Sequence, residues 1–175
     1  MAKKKSTTKT LVMTALFTAL TMVSTMLIRI PLPMGYVHLG DAFVLLSAFL
    51  LGPIWGTISA GVGSALADMV GYIAYAPATL IIKALMAFVA WLTAQAFAKI
   101  FKNKILAQSL AGVIATLLMT AGYFLYEGAL YATVGVALVN VPWSLLQGAV
   151  GIVVSVAVFR IISAVGVLHV FTWRD

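Results

Sequence analysis

The sequence contains no cysteine, which excludes disulfides, thiolate catalysis and cysteine-based metal sites. It is nearly as poor in charge. Asp, Glu, Lys and Arg make up 9% of the 175 residues, and only four of them are acidic. A soluble domain carries about a quarter charged residues, so this chain has too little polar surface to coat a globule in water. Several chemical signatures are missing as well. No GxxxxGKS/T loop is present to cradle phosphates, so ATP hydrolysis by that route is excluded. Neither HExxH nor any paired-histidine spacing supports a metal site, and no GxSxG or other recognisable nucleophile motif occurs. No secretory cleavage signal is visible: the basic MAKKKSTTKT start runs into an apolar stretch long enough to span a bilayer.

What remains is apolar. Hydrophobic residues make up 63% of the chain. At about 20 residues per crossing plus short loops, the length allows roughly six membrane-spanning helices. The expected fold is therefore all-α: a polytopic six-helix transmembrane bundle. Residues 1–10 form a basic cytoplasmic tail and residues 11–175 a single transmembrane domain. The net charge of +7 does not point to nucleic acid, because the basic residues collect at the ends and in one connection. Six crossings place both termini in the cytoplasm. The tail, the Lys99–Lys104 connection and the carboxyl end with Arg160 and Arg174 then lie inside, and only Arg29 and Lys83 lie near the outside. That is the usual cytoplasmic bias of basic residues.

The helices are expected over about 11–30, 41–52, 57–75, 79–101, 105–131 and 143–165. Prolines and glycines punctuate them at Pro31-Leu-Pro-Met-Gly35, Gly52-Pro53, Ala76-Pro77 and Pro142. In the first helix Thr14, Thr18, Thr21 and Thr25 share a face, and Ala15 and Ala19 make a small-xxx-small pair beside it. Such a pair suits close helix contact, either within the bundle or with another protein. In the third, two small-residue stripes (Gly56, Ala60, Ser64, Asp68; Gly63, Ala67, Gly71) predict a helix hemmed in by neighbours.

Charges inside such runs need a reason, because each is costly to hold in hydrocarbon. Asp41 sits where a helix starts, and capping is its expected role. Lys83, one turn into the fourth helix, is expected either to snorkel to the interface or to partner Asp68 or a ligand. Glu127 has no basic residue near it in sequence and shares a face with Thr120, Tyr123 and Tyr131. In the six-helix topology Asp68, Tyr72, Tyr75, Lys83, Tyr123, Glu127, Asn140 and Gln147 all fall in the outer half, and the inner half is almost uniformly apolar. A channel or proton path needs polar groups throughout its depth. One-sided placement predicts a pocket that takes a small molecule from outside, with tyrosines stacking on a flat ring and carboxylates and amides reading its polar atoms. An interfacial aromatic belt with a structural Asp68–Lys83 pair explains the aromatics but not Glu127.

Taken together, the Ala15-xxx-Ala19 pair, YVHLGDAFVLLSAFLLGP (36–53), GVGSALADMVGY (61–72) and YAPATLIIK (75–83) resemble the S components of energy-coupling factor (ECF) vitamin transporters, over nearly the whole chain. Within that family the chain is most similar to the branch assigned to pyridoxine or hydroxymethylpyrimidine. The resemblance implies a subunit of the bacterial cell membrane, without cofactor or metal. It captures a vitamin from outside, docks on a membrane coupling subunit carrying two cytoplasmic ATPases, and releases the vitamin inward when ATP is hydrolysed there. It implies that Ala15 and Ala19 pack against the coupling subunit. It also implies that the 31–40 loop, with Tyr36 and His38, gates the pocket. The competing readings are a self-sufficient secondary transporter or channel, and a small membrane enzyme using Asp68 and Glu127 as acid and base. The first is disfavoured by the dry inner half and the lack of a visible inverted repeat, the second by the missing nucleophile.

Overall fold

A computed structural model describes residues 7–32, 35–166 and 168; the expectations for the remainder of the basic tail, for Pro33 and Met34, and for Arg174 lie outside the described residues. The chain forms α1 (Thr7–Leu27), a two-stranded ribbon of β1 (Arg29–Leu32) and β2 (Gly35–His38), then α2 (Gly40–Met69), α3 (Ala76–Phe101), α4 (Lys104–Leu130) and α5 (Val134–Ala164). All five helices are long and apolar enough to cross a membrane. Large apolar side chains stand exposed on each of them, among them Leu16, Ile58, Leu85, Leu117 and Val153. In a protein bathed by lipid that is the expected outer surface.

The most consequential feature of the backbone is inside α2. A straight helix of 30 residues is about 45 Å long, which would put Asp41 and Asp68 at opposite ends of the bundle. Gly52 instead adopts φ 83°, ψ −169°, a conformation open only to glycine, and Pro53 follows it. The helix breaks there and its two arms fold against each other. Ser47 Oγ donates to the carbonyl of Val44 at 2.8 Å and to that of Gly56, across the break, at 3.2 Å. Gly56 permits the contact, since a Cβ there would lie 2.7 Å from the Ser47 carbonyl oxygen. Asp41 and Asp68 consequently meet the same β-ribbon at one end of the molecule. The expected division at Gly52-Pro53 is thus present as a reversal within one continuous element.

Other boundaries move. The first helix begins at Thr7 and ends at Leu27. The loop after it is an antiparallel ribbon, with Arg29 opposite His38 and Pro31 opposite Tyr36. The second arm of α2 stops at Met69, so Tyr72 and Tyr75 lie in the turn that follows it and do not continue its helical face. Asn140 and Pro142, expected in a loop, lie inside α5, which begins at Val134; the α4–α5 connection is only residues 131–133. At the opposite end, Asn103 caps α4 by accepting from the backbone N–H groups of Ile105 and Leu106, 3.0 and 3.2 Å away, and Lys102 closes α3 in the left-handed conformation.

α2 packs against α1, α3 and α5, while α4 bridges α3 and α5. Val44, Leu45, Ala60, Met86 and Met119 centre one core cluster, and Phe17, Leu50, Leu51 and Phe159 another. The small-residue stripes of α2 are buried as expected, apart from Gly71, which lies beyond the helix end. On α1 the threonine face turns inward, with Thr14, Thr21 and Thr25 buried, whereas Ala15 and Ala19 are exposed.

Candidate functional site

The ends of the elements converge on one cleft. β2 contributes Tyr36 and His38, the end of α2 Asp68, the following turn Tyr72 and Tyr75, and the first turn of α3 Thr79. α4 adds Tyr123 and Glu127, and α5 adds Asn140, Trp143, Ser144 and Gln147. The cleft is open at its mouth and holds about 530 Å³ of free space, the mouth included.

Each carboxylate in the wall is held by neutral donors. The Tyr36 hydroxyl donates to Asp68. Asn140 Nδ2 donates to Glu127 Oε2 at 3.1 Å, and the Tyr75 hydroxyl sits 3.5 Å from Oε1 and 3.1 Å from the Tyr131 hydroxyl. Thr79 Oγ1 and the Tyr123 hydroxyl share a hydrogen bond of 3.0 Å. The aromatic rings form a continuous wall, with Tyr36 and Tyr72 at 4.5 Å between centroids and Tyr72 and Tyr75 edge-on at 6.4 Å. Arg29 stacks its guanidinium 4.6 Å above the Tyr36 ring and donates to the carbonyls of Thr25 and Ala67 at 3.1 and 2.8 Å. It thereby neutralises the last turn of the second α2 arm and holds the ribbon against it.

Behind this wall lies a second polar layer. Lys83 and Asp41 form an ion pair in which both side chains are fully buried, and Met119 Sδ packs against the ammonium. Gln147 links that pair to the ribbon: Nε2 donates to Asp41 Oδ2 at 2.8 Å, and Oε1 accepts from the His38 backbone N–H at 3.1 Å. His38 Nδ1 accepts from the Gly40 N–H at 3.0 Å. Burial pushes the His38 imidazole down to about 3, with Lys83 and Arg29 adding to the effect against the pull of Asp41, so the ring is neutral near pH 7. Burial, reinforced by Asp68, drives the Tyr36 phenol above its ordinary range, which keeps it a donor.

Nine of the residues singled out from sequence meet here: Asp68, Tyr72, Tyr75, Tyr123, Glu127, Asn140 and Gln147, with Tyr36 and His38 of the gate. Two assignments are corrected. Lys83 does not line the cavity, and its partner is Asp41 rather than Asp68, because the reversal at Gly52 brings the start of α2 alongside α3. Asp41 is not a cap: the N-cap is Leu39, without a side-chain cap bond, and the Asp41 carboxylate is spent on Lys83 and Gln147. Trp143 also lines the cavity, with Thr79 and Ser144, which the sequence reading does not single out. Ser144 lies one turn after Asn140, and Thr79 one turn before Lys83, each on the same helical face.

Apolar helices around a polar, aromatic cavity at one end define an integral membrane protein with a candidate small-molecule site. Comparison with known proteins narrows that class. A family model described as "ECF-type riboflavin transporter, S component" matches residues 5–164. The chain thus belongs to the S components of ECF-type transporters, the substrate-binding membrane subunits rather than the enzymes of such systems. Among solved structures it is similar in fold to one described as the S component of a bacterial ECF transporter. That match has a TM-score of 0.69 at 24% identity, covering 91% of this chain and 98% of the other. A second, the S component for biotin from an ECF-type ABC transporter, matches with a TM-score of 0.55 at 21% identity, covering 91% and 95%. An uncharacterized protein of Pyrococcus woesei is 52% identical over 63 residues, which is 35% of this chain and 43% of that relative's length.

Proposed function

We propose that this chain captures a flat, water-soluble vitamin or vitamin precursor of the pyridoxine or hydroxymethylpyrimidine type from the outer side of the cell membrane. It delivers that guest inward when docked on a membrane coupling subunit driven by two cytoplasmic ATPases. One observation carries the reading. Every buried ionisable side chain among the described residues (Asp41, Asp68, Lys83 and Glu127) gathers at the cavity end, and the buried polar groups nearer the basic end, such as Gln108 and Thr116, are uncharged. A site of this kind binds from one side and has no polar route through. Counting the two arms of α2 as two crossings gives six and puts both termini on the side of Lys99, Lys102, Lys104 and Arg160, which the bias of basic residues makes the cytoplasm. Asp68, Tyr72, Tyr75, Tyr123, Glu127, Asn140 and Gln147 are the proposed contacts, and Tyr36 and His38 the gate.

The description of the matching family model favours a second reading, riboflavin. Mass spectrometry of the molecule that co-purifies with the protein separates the two, and recovery of a flavin refutes the first. Ala15 and Ala19, exposed on α1, are the proposed docking patch. Ala15→Trp or Ala19→Trp is expected to leave ATP-independent binding intact and to abolish uptake by the assembled transporter. Normal uptake in both refutes the docking role.

A further inference from the structure

We infer that the cavity discriminates by charge: it favours a ring guest bearing a protonated or quaternary nitrogen and rejects anionic guests, phosphorylated vitamers included. The inference rests on the capture reading above and adds the class of guest. It follows from where the chain's few charges go. Of four acidic residues, three lie at the cavity end. Asp41 is neutralised by Lys83 behind the wall. Asp68 and Glu127 line the cavity, and neither is ion-paired among the described residues. Their hydrogen-bond donors are neutral: the Tyr36 hydroxyl for Asp68, and the Asn140 amide and Tyr75 hydroxyl for Glu127. Among the described residues, no lysine or arginine lines the cavity.

The nearby cations are committed elsewhere. Arg29 lies beyond the Tyr36 ring and is bonded to two backbone carbonyls. Lys83 is fully buried against Asp41. His38, which also lines the cavity, stays neutral. Arg29 and Lys83 act on Asp68 only from a distance, so two cavity carboxylates with no ion-pair partner in contact among the described residues are complementary to a cation, because desolvated charge is costly until it is paired. The walls add to this. Arg29 already lies over Tyr36 and Tyr72 and Lys83 over Tyr123, and Tyr75 and Trp143 add further aromatic lining suited to a positively charged ring. A phosphate or carboxylate guest would instead meet two like charges and lose its own hydration without compensation.

The test uses the full-length purified protein, stripped of any co-purified guest, and measures affinity calorimetrically. The probes are pyridoxamine and thiamine as cations, pyridoxine and riboflavin as neutral rings, and pyridoxine 5′-phosphate and biotin as anions. The expected result is that a cationic probe binds about 10-fold or more tighter than the neutral probe closest to it, as for a hydrogen bond to a charged partner, with no measurable binding of the anions. Asp68→Asn and Glu127→Gln, singly and together, are expected to weaken the cation by roughly 10- to 100-fold more than the neutral analogue. Thermal unfolding in detergent reports that the variants fold. A neutral or anionic vitamin that binds tighter than the cations overturns the charge rule and leaves the capture reading standing, as does an unchanged cation-to-neutral ratio in the variants. Failure of every probe to bind overturns both.

Discussion

Replacing Lys83 by methionine separates a scaffold role from a ligand role more sharply than any other single change. Lys83 and Asp41 are both at 0% exposure, and the ammonium is enclosed by Asp41 and Met119. Removing one partner of a buried ion pair typically costs about 3–5 kcal/mol, because the remaining charge is left without compensation. Asp41 would keep only the Gln147 amide and would relieve part of the cost by taking up a proton. For a chain of this length each kcal/mol corresponds to about 2–4 °C in Tm, so Lys83→Met is expected to melt roughly 6–20 °C lower. The double variant Asp41→Asn/Lys83→Met leaves no charge at this site and keeps an amide for Gln147. It is expected to recover most of the loss, since replacing both members of a buried pair is often near neutral. Thermal unfolding in detergent, followed by tryptophan fluorescence, reads both variants. Because Lys83 is off the cavity wall, guest affinity of folded Lys83→Met should change less than about 10-fold, under 1.4 kcal/mol. A variant that melts like the parent refutes the pairing, as does a double variant no more stable than the single. An affinity loss beyond 100-fold with unchanged melting would return Lys83 to the cavity as a ligand contact.

Three further outcomes follow from the same geometry. Gly52→Ala forces a side chain into φ 83°, ψ −169° and should destabilise by about 1–3 kcal/mol; an unchanged Tm refutes the reversal. Gly63→Ala would set a Cβ 2.6 Å from the Thr18 carbonyl oxygen and push α1 off α2, at a cost of about 1–3 kcal/mol, again read as a lower Tm. His38 is held to about 3 in the fold against 6.5 when unfolded, so the folded protein binds fewer protons between those values. Its contribution is complete above pH 6.5 and is lost as pH falls toward 3. His38→Gln should therefore flatten the fall in Tm between pH 6.5 and 4, and a variant that keeps the parent slope there refutes the shift.

Sequence alone determined the environment and most of the cavity's inventory. The membrane assignment follows from composition, because so few charges cannot solvate a globule. The cavity residues Tyr123–Glu127 and Asn140–Gln147 were legible because helical spacing is a local property that survives folding. The break at Gly52-Pro53 was legible for the same reason, since proline and glycine act on their own backbone.

Tertiary structure decided the partners. Asp41 and Lys83 are 42 residues apart, and Tyr36 and Asp68 are 32 apart. No periodicity connects either pair. They meet because Gly52 turns α2 back on itself and because the loop after α1 pairs as a ribbon that carries Tyr36 and His38 over the end of the bundle. A local pattern specifies which face a side chain occupies. Which charge lies opposite depends on how the helices are arranged, and that arrangement moved Lys83 from the cavity to the scaffold and left Asp68 and Glu127 lining the cavity.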